Sequence, residues 1–136
     1  MTPTMTALIG YALWFMLLSI LIAATRVALV LGGKKAANDF NATGEDIGGF
    51  SERLARAHAN CYENLPAFAA IALAALMSGH GSLMDQYAML ILYARMAQSL
   101  VHMLSTSVVA VNVRFMLYLI QIGLLGIVAF SLLGVG

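Results

Sequence analysis

Glu63 and Arg95 are ionisable residues set deep within runs that are otherwise suited to hydrocarbon. Ionisable groups at membrane depth cost a few kcal/mol on insertion scales, so they face a bundle interior and meet partners there. At helical spacing, Arg53, Arg56, Asn60 and Glu63 fall on one face of their segment, as expected for positions three and four residues apart. Arg95, Gln98 and His102 do the same further along, with Ser99 and Thr106 flanking them. Two polar stripes facing each other exceed what a purely structural bundle needs, and they imply a polar ligand. Guanidinium groups bind carboxylates through a planar fork, Glu63 can receive an ammonium, and Asn60 offers a donor and an acceptor to an amide. A small zwitterionic peptide fits that inventory. Arg114 is the residue available to favour the thiolate of such a ligand, as neighbouring cations lower thiol pKa values.

Each of these has a plainer reading. Glu63 and Arg95 can form a buried ion pair that only staples two helices, and Arg114 can be an interfacial anchor whose head group reaches for water. His58 and Cys61, spaced His-x-x-Cys, are too few to hold a metal, and none is expected. Cys61 reads as a packed small hydrophobe, and as the lone cysteine it excludes an internal disulfide framework.

The elements that must position these residues follow from composition. Of 136 residues, 62% are hydrophobic and 10% are charged, against about 25% charged in soluble domains. The first 25 residues carry no charge, and uncharged stretches run over 64–84, 96–113 and 115–136, each near the roughly 20 residues that span hydrocarbon. They lack the alternation of barrel strands. The expected fold is all-α and integral to a membrane: one domain over 1–136, with transmembrane helices at about 5–31, 51–77, 84–106 and 111–133. The N-terminal run is too long and lacks the basic start of a signal peptide, so it is expected to be retained.

Five of the seven basic residues, Arg26, Lys34, Lys35, Arg53 and Arg56, lie in or beside the long first loop, 32–50. The positive-inside rule makes that loop cytoplasmic. Both termini are then outside, the third loop returns to the cytoplasmic side beside Arg114, and the membrane is expected to be the inner, cytoplasmic one. The net charge of +1 comes with no basic cluster, so a nucleic-acid partner is not expected.

The segment from Glu52 to Phe68 resembles the helix-two signature of the MAPEG family, the membrane-associated proteins in eicosanoid and glutathione metabolism. That pattern is roughly Arg-Ala-x-x-Asn-x-x-Glu followed by Pro-x-Phe, and Arg56, Ala57, Asn60, Glu63, Pro66 and Phe68 match it. Tyr93-Ala94-Arg95 resembles the helix-three motif of a small residue and arginine. The resemblance covers almost the whole chain. It implies a homotrimer of four-helix subunits with glutathione bound between neighbours near the cytoplasmic face. Arg56, Asn60 and Glu63 would hold the tripeptide, with His58 beside them, and Lys34 or Lys35 would close the site. Arg114 matches the arginine that stabilises the thiolate. The chain departs from the family at Gln98 and His102, where His or Tyr is frequent, and at Asn64, where some members have Tyr.

Two functions are therefore expected to compete. The first is a glutathione-dependent transferase or peroxidase acting on lipophilic electrophiles or hydroperoxides that arrive from the bilayer lipid, with glutathione as cosubstrate and Arg114 as the catalytic group. The alternative is a non-enzymatic bundle, structural or relaying protons, built on an intramembrane Glu63–Arg95 pair.

Overall fold

The computed structural model describes residues 1–135 as four helices: α1, Pro3–Leu31; α2, Gly49–Met77; α3, Gly81–Leu104; and α4, Val108–Gly134. Helix α1 starts where the Thr2 side chain accepts from the Met5 N–H, and proline at the first helical position loses no hydrogen bond. Helix α4 begins three residues before the expected start. The reason is Ser107, whose hydroxyl accepts from Ala110 N–H and caps the helix at Val108. Helix α3 begins three residues before the expected start and ends two residues before the expected end.

Helix α3 is the hub. It packs on α1, α2 and α4, whereas α4 touches α2 along only a short stretch. Two ties set the direction of the helices. At one end, Asp85 Oδ1 of α3 accepts from the backbone N–H and the hydroxyl of Thr4, at 3.0 and 2.6 Å, satisfying a donor that the first turn of α1 leaves free. At the other end, Arg53 Nε of α2 donates to the carbonyl of Met103 at 2.8 Å. The helices thus alternate in direction, and the first and third loops lie at the same end of the bundle.

Tyr11, Leu18, Leu54, Cys61, Phe68, Met84 and Ile91 are buried in the core. The rings of Tyr11 and Phe68 stack with centroids 5.0 Å apart. A β-carbon at Gly10 would lie 2.7 Å from the Leu92 side chain, so glycine there lets α1 and α3 approach closely. Large aliphatic and aromatic side chains such as Leu13, Ile20, Phe115, Ile127 and Phe130 point outward. Helices α1 and α4 are long and apolar enough to cross a membrane. The polar stripes of α2 and α3 are what set those helices apart from the other two.

In the first loop, Lys35 Nζ donates to Asp46 Oδ2 and to the Asp39 carbonyl, and Asp46 Oδ2 also accepts from the Asn41 N–H. The hydrogen bond to Lys35 holds the Asp46 carboxyl below the usual range, and the same bond raises the Lys35 ammonium. The Phe40 ring lies near both cations, 5.4 Å from the Arg26 guanidinium and 5.3 Å from Lys35 Nζ.

Candidate functional site

Because α4 leans on α3 and barely meets α2, a groove opens between α2 and α4 with α3 as its floor. Its inner part, about 520 Å³, is lined by Asn60, Glu63 and Asn64 of α2, Gln98 of α3, and Val111, Arg114, Phe115 and Tyr118 of α4. Its outer part, about 410 Å³, is lined by Gly49, Glu52, Arg53 and Arg56 of α2, His102 and Thr106, and again Val111 and Arg114. Arg114 stands where the two parts meet. The sizes are those of small-molecule sites.

The helical period explains the lining. Arg56, Asn60 and Glu63 present one face of α2 to the groove, Gln98 and His102 lie one turn apart on α3, and Arg114 and Tyr118 lie one turn apart on α4. Two polar atoms there lack protein partners. Arg114 Nε and His102 Nδ1 are buried without a protein hydrogen bond, which leaves both available to a ligand or water in the groove. Arg56 is exposed and pairs with Glu52 one turn earlier, at 2.7 Å. An exposed pair of this kind contributes little to stability, so its guanidinium is free to exchange partners.

Arg95 behaves differently from the expectation. It is 2% exposed, yet it forms no ion pair with Glu63. Arg95 Nη1 donates to the backbone and side-chain oxygens of Asn60, at 3.4 and 3.3 Å, and its guanidinium lies 5.8 Å from the centre of the Tyr11 ring. Among the described residues the ion pairs are Lys35 with Asp39 and Asp46, and Arg56 with Glu52. The correction has a geometric cause: Asn60 comes first in the path of Arg95, while Glu63, one turn on, faces α4 across the groove and is exposed.

The structure thus gathers Arg56, Asn60, Glu63, Gln98, His102 and Arg114 around one groove. It does not bring His58, Lys34 or Arg95 to the groove wall within one chain. His58 Nε2 lies 2.9 Å from the Ser19 hydroxyl and its ring stacks on Phe15, because two residues from Asn60 is about half way round the helix, on its opposite face. Cys61 is buried against α1, where its carbonyl accepts from the Tyr11 hydroxyl at 3.3 Å. Lys34 is exposed on the loop.

Sequence reasoning passed over Asn64 and Tyr118 as site residues, and Gln121 behind them. A signal was present: Arg114, Tyr118 and Gln121 recur at the four- and three-residue spacing of one helix face. Among known proteins, the model of the MAPEG family matches residues 4–134 of the chain. No curated protein and no solved structure matches it.

Proposed function

The chain belongs to the MAPEG family, a family of membrane proteins in glutathione and eicosanoid metabolism, and on that premise we propose that it is a membrane-bound, glutathione-dependent transferase or peroxidase acting on lipophilic substrates. The observation that carries the reading is Arg114: a cation at the junction of a polar groove, with an unpartnered Nε, opposite the exposed carboxylate of Glu63.

Glutathione fits the inventory of side chains. Its two carboxylates suit Arg56 and the amide donors, its ammonium suits Glu63, and its thiol then falls within reach of Arg114. Bound glutathione would supply a thiolate; its bond to carbon displaces an anionic leaving group, while reduction of a hydroperoxide consumes two thiols and yields alcohol, water and disulfide. The chain's own work is to bind, orient and stabilise charge. Arg114 stabilises the anionic sulfur relative to the thiol, while Arg56, Asn60 and Glu63 hold the peptide so that the reaction is effectively unimolecular.

All four helices are taken to cross the bilayer, with the first and third loops cytoplasmic because the basic residues cluster there. The groove is open on its outer side, and a homotrimer would close it with a neighbouring subunit. The lipophilic partner would enter from lipid past the apolar, outward-facing Phe115.

The test is turnover by the detergent-purified protein with glutathione and either an activated aryl halide or a lipid hydroperoxide. Wild type turns over at least one of them, and Arg114→Ala loses about a hundredfold or more in kcat, the range seen when one charge-stabilising group is removed, with glutathione affinity less affected. Turnover unchanged in Arg114→Ala would overturn the assignment.

A further inference from the structure

Oxygen and nitrogen of a carboxamide are told apart by their partners, and two amides in the groove have partners that leave no choice. Gln121, 2% exposed, places its Nε2 2.9 Å from the carbonyl of Leu117, which can only accept. The same Nε2 lies 2.9 Å from the side chain of Gln98, which must therefore turn its Oε1 toward it. Both hydrogens on Gln121 Nε2 are then used, and the N–H₂ of Gln98, itself a lining residue 3% exposed, is left for the groove. Asn60 obeys the same logic. A guanidinium only donates, so the side-chain atom facing Arg95 is Oδ1. Asn64 Nδ2, identified by its 2.8 Å bond to the Asn60 carbonyl, donates to that same Oδ1 at 3.1 Å. The N–H₂ of Asn60 is likewise turned outward. Beside Arg114 the Gln98 and Asn60 amides therefore turn donors to the groove, which suits an anion, while the acceptors of the same wall are Glu63 and the Oδ1 of Asn64.

We propose that Gln121, which does not line the groove, is a positioning residue: it holds the Gln98 amide with its N–H₂ toward the space beside Arg114, so that Gln98 is a second donor to the anionic sulfur there. This rests on the glutathione reading above. Without Gln121 the Gln98 amide is free to turn over and offer its oxygen, which repels an anion. A hydrogen bond to a charged group is worth about one to two pH units in the ionisation of its acceptor.

The experiment follows the ultraviolet absorbance of bound thiolate against pH in wild type, Gln121→Leu, Gln98→Leu and the double variant, with Gln121→Met as a second replacement of similar length and circular dichroism to certify the helices. Gln121→Leu and Gln121→Met should raise the thiolate midpoint by about one pH unit, lower kcat about tenfold at neutral pH, and leave KM for glutathione within about twofold. In the Gln98→Leu background, losing Gln121 should change the midpoint no further. A midpoint unmoved in both Gln121 variants, or a further shift in the double variant equal to that of Gln121→Leu alone, overturns the inference and leaves the glutathione reading in place. Wild type that binds glutathione with no thiolate signal overturns the inference by removing the anion. Wild type that binds no glutathione overturns the reading itself.

Discussion

Replacing Arg95 by methionine separates the observed packing from the ion-pair alternative. The guanidinium is 2% exposed, has no carboxylate partner among the described residues, and its Nε makes no hydrogen bond there. Its two bonds to Asn60, at 3.3 and 3.4 Å, are long, and each contributes about 1 kcal/mol or less. The contact with the Tyr11 ring adds about 0.5–1 kcal/mol. Against that, burying a guanidinium whose Nε finds no partner costs about 1–3 kcal/mol or more. The terms nearly cancel, and Asn60 Oδ1 keeps its donor from Asn64. Arg95→Met should therefore unfold, in a reversible detergent assay, within about 1 kcal/mol of wild type. Glutathione affinity should still fall severalfold, because Asn60 loses the cation that orients it. Breaking a buried Glu63–Arg95 pair would instead cost about 3–5 kcal/mol, with Glu63→Gln costing a similar amount. That paired loss would refute the reasoning.

Asp85→Asn weakens the tie at the start of α1; the Thr4 bonds at 3.0 and 2.6 Å lose their ionic acceptor, and stability should fall by about 1–2 kcal/mol in the same assay. The loop clasp should depend on pH. Asp46 has a folded pKa below its unfolded one, so its contribution is present above the ordinary carboxylate range and is lost as pH falls through the lowered value. Protease cleavage in the first loop should rise below about pH 4 in wild type. Asp46→Asn should be cleaved readily at neutral pH with little further change on acidification.

The helical fold was legible because charge is so scarce: stretches such as 115–136 have no reading as loops. The faces were legible too, since Arg56, Asn60 and Glu63 recur at spacings that only a helix brings together. What the sequence left open depended on how one helix is rotated against the next. From the sequence Glu63 and Arg95 can reach similar depth, yet Asn60 stands one turn nearer to the arginine, and that turn decides the partner. The family resemblance sets His58 beside Asn60, although two residues along a helix lie about 200° apart. The role of Gln121 is invisible in sequence, because it arises from the Leu117 carbonyl and Gln98 meeting the same nitrogen across two helices. The early start of α4 could have been read from Ser107, a preferred capping residue just ahead of the apolar run.

Binding of glutathione to the detergent-purified protein, followed by titration calorimetry with Glu63→Ala and Arg56→Ala in parallel, tests the central claim most directly. The account predicts saturable binding by wild type and affinity at least about tenfold weaker in each variant, the loss of one charge-assisted contact. Well-folded wild type that takes up no glutathione, or variants that bind as tightly as wild type, would contradict it.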